Sequence, residues 1–471
     1  MSHKIIILVM CLFWTILARS QTLPERPSNY YDLDAGLEQN PYHIHNLGNL
    51  RWLSEMGEEW FVDANTLVYF LQTADIEAVE TEDWIDGFIP IGYYYSANNI
   101  FSPQFYGVYD GENHRISNLY IKTMHLEEDA ATAGLFSLSL QATIKNVHLI
   151  NILIDPVSGH LGLNQIGGIS GMGYFSSFYN CSVTGRLQAS FPNQITCIGG
   201  IVGQSGFDQI DNCSSSAIIS GNIYVGGIVG FNIGNIENSY STSSLSGEII
   251  GGIVGAHLSR DINNSYFSGT LITVGNITNS GGIVGYLLGI GGSSTIISNS
   301  FWDIETSENI HPIGNLGSEI GDIINCYGLL TFEMKSLEPY IENGWDFDDI
   351  WDINPDINEG YPNLRANIPP ITYIKDNTLH SYINTTAYPN PFNPNITILF
   401  YLPKSEKVSL KIYNAKGQLV KILIDETLEN KTHSAIWDGL DCNSQKVSSG
   451  AYFYKLETAT FSTVKKILLL K

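Results

Sequence analysis

The stretch Gly226-Gly227-Ile228-Val229-Gly230 decides how this chain is read, because it is written five times with small changes. The other copies begin at Gly167-Gly168 (as GGISG), Gly199-Gly200, Gly251-Gly252 and Gly281-Gly282. A polar turn follows each copy, then a run of Ile, Ser, Cys and Tyr with one Asn in a fixed place, then a Ser/Thr/Gly-rich strand. The aligned residues are Asn118, Asn146, Asn180, Asn212, Asn238, Asn264 and Asn299, at spacings of 28, 34, 32, 26, 26 and 35 residues. These periods are too short for separate domains and suit one coil of a solenoid, read here as three short strands with their loops. In a parallel coil equivalent residues stack about 4.8 Å apart, so an Asn can hydrogen-bond its own image above and below. Ile228 and Val229 bring β-branched bulk to the packed strands, and paired glycines permit corners that a Cβ would obstruct. A lone glycine block would suggest a nucleotide site. Repetition makes it architectural.

Working outward, residues 1–20 read as a secretory signal, with Lys4 as the positive start, an apolar run over 5–17 and the small-x-small cleavage site Ala18-Arg19-Ser20. No later stretch is long and apolar enough to cross a bilayer, so no transmembrane segment is expected after cleavage. Residues 21–40 form a polar lead-in, and 41–104 an N-terminal cap region in which Leu47, Leu50 and Leu53 predict a short covering helix. Repeats fill 105–327. Residues 328–367 read as the closing cap, with Trp345, Phe347 and Trp351 to cover strand edges, and 368–387 as a Pro-bearing linker. From 388 to 471, alternating apolar residues and turn signals imply about seven short strands in a sandwich.

Residues 21–387 carry ten Lys and Arg against forty Asp and Glu, a net of −30, whereas 388–471 carry eleven against seven, a net of +4. An acidic body repels nucleic acid and anionic membrane, so no nucleic-acid partner is expected. Its charge either keeps a secreted protein soluble or holds divalent cations. Five cysteines remain after the signal: Cys181, Cys197, Cys213, Cys326 and Cys442. Their odd number and lack of Cys-x-x-Cys spacing indicate neither a disulfide scaffold nor a zinc site. Cys181 and Cys213 share a repeat position, either within bridging reach or as two buried thiols.

The repeats resemble the GLUG-motif family of bacterial surface and secreted β-helical proteins. WIDGFIPIG (84–92), VYDGENHRISNL (108–119), SFWDIETS (300–307) and GWDFDDIWDIN (344–354) extend the likeness across 42–364. The segment from 388 resembles the C-terminal sorting domain of the type IX secretion system. The likeness rests on its opening Pro389, Asn390, Pro391 and Phe392, its Trp437-Asp438-Gly439 turn, the Ser449-Gly450 pair with Tyr452, and the basic-apolar last strand with Lys465 and Lys466. Together these imply an all-β chain, a right-handed parallel β-helix followed by a small immunoglobulin-like β-sandwich. They also imply export to the cell surface or medium with the type IX machinery as partner. Such sorting domains carry folded cargo across the outer membrane and are commonly removed on release or anchoring.

Motifs for zinc proteases, phosphate-binding loops and nucleophile elbows are absent. His43 and His45 share one strand face without a visible third ligand. Asp352, Asn354 and Asp356 resemble the start of a calcium loop, but Ile357 stands where that loop needs Gly and Asn363 where it needs Glu. No other cofactor is indicated. Asp83, Asp86, Asp110, Glu112, His114 and Arg115 would suit either a lyase or glycosidase site or the family's structural turn. Tyr93, Tyr94, Tyr95, Phe101, Phe105 and Tyr106 form either a sugar-stacking surface or a loop packed on the first coil. The preferred expectation is a non-enzymatic adhesive, extracellular-binding or scaffold protein contacting glycans or matrix. The alternative is a carbohydrate-active enzyme on the same solenoid.

Overall fold

Four strands succeed one another in the coil that opens at Leu163: Leu163–Gly167, Ser170–Tyr174, Ser177–Tyr179 and Ser182–Gln188. The next coil repeats them as Ile195–Gly199, Val202–Gly206, Gln209–Asp211 and Ser214–Ser220. Pairing is parallel throughout, with Gly167 opposite Gly199, Ser170 opposite Val202, Phe178 opposite Ile210 and Val183 opposite Ser215. The computed structural model describes residues 21–366 and 385–470 apart from 64–65, 93–103, 127–129, 157–161, 190–193, 275–278, 289–294, 310, 318–321, 389–391, 403–404, 430–431, 444 and 460–461. The expected signal at 1–20, the linker as far as 384, Tyr93, Tyr94, Tyr95 and Phe101, and Pro389, Asn390 and Pro391 therefore lie outside the described residues.

Stacked coils build four sheets, of ten, twelve, seven and seven strands among the described residues. All pair in parallel except His125–Leu126, which is antiparallel to Ala130–Ala133. The coil thus has four sides, one more than the repeat pattern suggests. The glycine block hides the extra corner: Gly226 ends the strand Tyr224–Gly226, and Val229 begins the strand Val229–Asn232. A Cβ on Gly226 would overlap the Val229 carbonyl, and one on Gly227 the Gly252 carbonyl of the next coil. Chain passing this close to itself can turn within two residues only where no side chain intervenes.

The fixed Asn occupies a second corner, between the third and fourth strands. Asn118, Asn146, Asn180, Asn212, Asn238, Asn264, Asn299 and the further Asn325 all have φ between 44° and 58°. Among side-chain-bearing residues, Asn adopts this left-handed conformation most readily. Interior positions are filled by a continuous column running from Ile44 through Ile166, Ile198, Ile228 and Ile253 to Ile313.

At the N-terminal end the helix Leu47–Glu55 begins where the Asn46 side chain accepts from the Asn49 amide, and it buries Leu50, Trp52 and Leu53 in that column. The other end is built differently from the expected cap. Tyr240, Tyr266 and Phe301 form an outward-facing column on the twelve-stranded sheet, and Tyr340, Trp345, Trp351 and Tyr361 pack on it from the side. Tyr266 Oη donates to Pro362 O at 2.6 Å and Trp345 Nε1 to Asn299 O at 2.9 Å. The last strands, Ile313–Leu316, Asp322–Ile324 and Tyr327–Leu329, end their sheets, and Asp322–Ile324 is exposed at every residue. Aromatics expected to cover an end instead clamp a flank, because the outward Tyr and Phe column needs burial there.

A second unit comprises the described residues from 385 onward. A three-stranded antiparallel sheet (Thr385–Tyr388, Ile396–Tyr401, Thr432–Trp437) faces a four-stranded one (Leu419–Leu428, Glu406–Asn414, Gly450–Glu457, Ser462–Leu469). Alternate residues of both, including Ile398, Phe400, Leu410, Ile412, Tyr454 and Ile467, make one core.

Candidate functional site

The Asn column is bonded in a mixed pattern. Asn180 Nδ2 donates to Asn146 Oδ1 at 2.7 Å, Asn264 Nδ2 to Asn238 Oδ1 at 3.5 Å and Asn325 Nδ2 to Asn299 Oδ1 at 3.1 Å. Asn146 and Asn238 turn instead to Asp110 and Asp211, at 2.8 and 3.0 Å. Asn212 shares the corner geometry without such a bond to a neighbouring Asn among the described residues. The next residue inward forms a Ser/Cys column, in which the Oγ atoms of Ser239, Ser265 and Ser300 each donate to the carbonyl two residues back. Cys181 and Cys213 lie in this column as free buried thiols, and burial pushes the Cys213 thiol well up.

Asp110 and His114 are occupied by local bonding. Asp110 accepts from Asn146, pairs with Lys145 Nζ at 2.9 Å and receives the Glu112 amide. Asp75 holds the His114 ring and the Arg115 amide. Asp83 and Asp86 are exposed. Asp352 sits on a hairpin opposite Asn363, 3.6 Å from Arg365, while Asn354 Oδ1 accepts from the Asp356 amide as a turn. Among the described residues no three His, Cys, Asp or Glu side chains gather to hold a metal. His45 meets Thr73, and Asn29 Oδ1 accepts from the His43 amide. Phe105 is buried between Phe70 and Phe136, as packing rather than as a stacking surface.

Two buried groups are strongly perturbed. Asp208, 1% exposed, accepts from the Ser176 amide at 2.7 Å, and burial pushes its carboxyl up to about 7. Its other oxygen lies against Gly173, where a Cβ would overlap it. A carboxyl poised at that value suits general-acid chemistry, but this one is sealed from solvent. His257 is wholly buried between Asn232 and the Arg260 carbonyl, and burial drives it down to about 4, so it is neutral with its Nε2 proton on that carbonyl.

A surface that repeat counting misses lies at the corner between the second and third strands. Phe175 and Phe207 stand there on successive coils with φ of 52° and 62°. Their rings stack at 5.3 Å and 14°, Tyr174 lies edge-on to both, and the Arg260 guanidinium sits 5.7 Å over Phe207. Tyr174, Phe175 and Phe207 are 37%, 54% and 41% exposed. A bulky residue held left-handed costs about 1–2 kcal/mol, and Gln141 takes the same conformation (φ 49°) at this corner one coil earlier. The available signal was spacing: Phe175 and Phe207 are separated by the same 32 residues as Asn180 and Asn212.

In the second unit Trp437 is fully buried against Phe392 and Tyr452, at 5.4 and 5.0 Å. Asp438 accepts from Lys421 Nζ at 3.1 Å and from the Leu440 amide, shaping the turn through Gly439 (φ 69°). Ser449 precedes Gly450, which opens the strand Gly450–Glu457 at φ 153°. Lys465 and Lys466 are exposed on the final strand Ser462–Leu469, an edge of its sheet.

Residues 386–470 match the family model of the secretion system C-terminal sorting domain, and 221–246 match that of the GLUG motif. Over 102 residues the chain is 33% identical to a protein named as a Gly-rich membrane protein in Evansella cellulosilytica, covering 22% of this chain and 10% of that one. The chain thus spans about a tenth of the length of that curated relative. Among solved structures, PorZ, a surface component of the type IX secretion system of Porphyromonas gingivalis, overlaps 19% of this chain and 12% of its own at 20% identity and a TM-score of 0.15. Dimeric latent PorU from the same organism overlaps 19% and 10% at 20% identity and a TM-score of 0.16. FlgD from P. aeruginosa overlaps 18% and 72% at 18% identity and a TM-score of 0.15. The chain carries a GLUG motif and a type IX sorting domain, which directs it to the cell surface or the medium.

Proposed function

We propose that the exported solenoid is a non-enzymatic binding protein that holds glycans at the cell surface through its aromatic corner. The observation that carries this reading is the exposed, left-handed pair Phe175 and Phe207 with Tyr174 beside them. Aromatic carbon surface suits the CH faces of sugars, and it is presented here at a two-residue corner between paired strands. Of the residues considered for catalysis, the Asp110 carboxylate is tied to Asn146 and Lys145 and the His114 ring to Asp75, which supports binding over turnover.

Presenting the full chain to an array of neutral polysaccharides tests the proposal. Wild type should bind at least one, and the double variant Phe175→Ala, Phe207→Ala should lose about tenfold or more in affinity. Its melting temperature should hold or rise, since both rings already stand partly in solvent. An array without binding, or binding indifferent to the double variant, would remove the corner from consideration.

A further inference from the structure

The strand His148–Ile154 on the twelve-stranded sheet carries a bulge away from that corner: its register against Ser182–Gln188 shifts between Leu149 and Ile152. Asn151 takes φ 54° and Gly185, across from it, φ 130°. A Cβ on Gly185 would overlap the Ile152 backbone, so glycine is required and the floor stays bare. Bulges of this kind re-aim side chains and commonly adjoin binding sites. Here the result is an outward-facing groove of about 430 Å³ lined by Glu82, Asn118, Tyr120, Asn151, Arg186 and Ile218.

Its polar groups are oriented. Asn118 Nδ2 donates to Glu77 Oε1 at 2.9 Å, and Asn151 Nδ2 donates to Asn118 Oδ1 at 2.6 Å. This relay is anchored on a carboxylate, so Asn151 presents its Oδ1 to the groove as an acceptor. Arg186 is exposed, and its guanidinium has neither an ion pair nor a hydrogen bond among the described residues. That is notable in a body with ten basic and forty acidic side chains. Lys122 brings a second cation nearby, its Nζ 5.3 Å from the centre of the Tyr120 ring. Ile218, 49% exposed, supplies an apolar wall.

We infer that this groove binds a carboxylated saccharide, with the sugar carboxylate on Arg186, ring hydroxyls on Asn151 Oδ1 and Glu82, and a CH face on Ile218. The inference rests on the reading of the body as a glycan-binding solenoid and names a second ligand class at a separate place. A planar guanidinium matches a carboxylate in two parallel hydrogen bonds, and adjoining acceptors select a ligand rich in hydroxyl donors. The body's net negative charge opposes an anionic chain at long range, but at about 0.15 M salt that repulsion is screened beyond about 8 Å, so the local guanidinium contact decides.

Titration calorimetry of the full chain with hexagalacturonate, and with cellohexaose as the neutral counterpart, tests it. Hexagalacturonate should bind more tightly, and Arg186→Gln should weaken it about tenfold or more. Lys416→Gln, an exposed change in the second unit, should leave binding alone. Asn151→Ala should weaken binding to both acidic and neutral sugars at this site. Hexagalacturonate bound no better than cellohexaose, or bound equally by Arg186→Gln, would overturn the inference. Neutral glycan binding lost only with Phe175 and Phe207 would still leave the aromatic corner standing. Arg186 is exposed, so its variant should melt with wild type, separating lost recognition from lost folding.

Discussion

At the residue scale, burial acts on ionisable groups in opposite directions. It pushes the Asp208 carboxyl up to about 7 and drives the His148 and His257 rings down to about 4. Between its ordinary value of 3.8 and about 7, Asp208 holds a proton in the fold that the unfolded chain has released, so stability falls as pH rises through that window. The histidines do the reverse: between about 4 and 6.5 the unfolded chain takes up protons that the fold refuses, so stability rises with pH. Asp208→Asn removes only the first slope. Its gain over wild type should be small near pH 4 and reach on the order of 3 kcal/mol near pH 8. Urea titrations of both proteins across that range read the difference, and a gain independent of pH would mean that Asp208 titrates normally. Sequence alone marks neither group, because Asp208 looks like any turn acid until its coil closes over it. The asparagines are different: their column is visible as a repeat, but their left-handed φ belongs to a corner that only three-dimensional stacking creates.

Among the elements, the glycine block sets the geometry of each coil. A Cβ on Gly226 would meet the Val229 carbonyl, the Gly255 amide at 2.7 Å and Val229 C at 2.7 Å, all backbone that cannot rotate away. Gly226→Ala should therefore lose roughly 3 kcal/mol or more, or fail to fold. Ile228→Val at the neighbouring core position should lose about 1 kcal/mol. Chemical denaturation ranks the two, and equal losses would mean that the corner relaxes. Recurrence of the block makes it legible as architecture. Its division between two strands is not legible, because Gly-Gly carries no side chain whose alternation could reveal a change of face. The closing aromatics show the same gap: composition calls for burial of Trp345 and Trp351 but does not say whether they cover an end or a flank.

For the whole molecule, the sandwich carries the sorting information, and the acidic solenoid is the unit to which the proposed binding surface belongs. Removing residues 388–471 should leave the solenoid in the periplasm of a type IX-competent host. Fractionation and blotting would show this, and surface display of the truncated chain would refute it. Repeat period, glycine blocks and the terminal segment are local or periodic signals, so fold class, export and sorting were open to reading from the chain itself. The four-sided coil, the flank clamp, the Phe175 and Phe207 stack and the groove beside Arg186 were not. The coil's sides, the stack and the groove depend on residues about thirty positions apart in sequence and one strand spacing apart in space, and the clamp on pairs 46 and 96 apart, proximities created by closing the coil and folding the tail back on it.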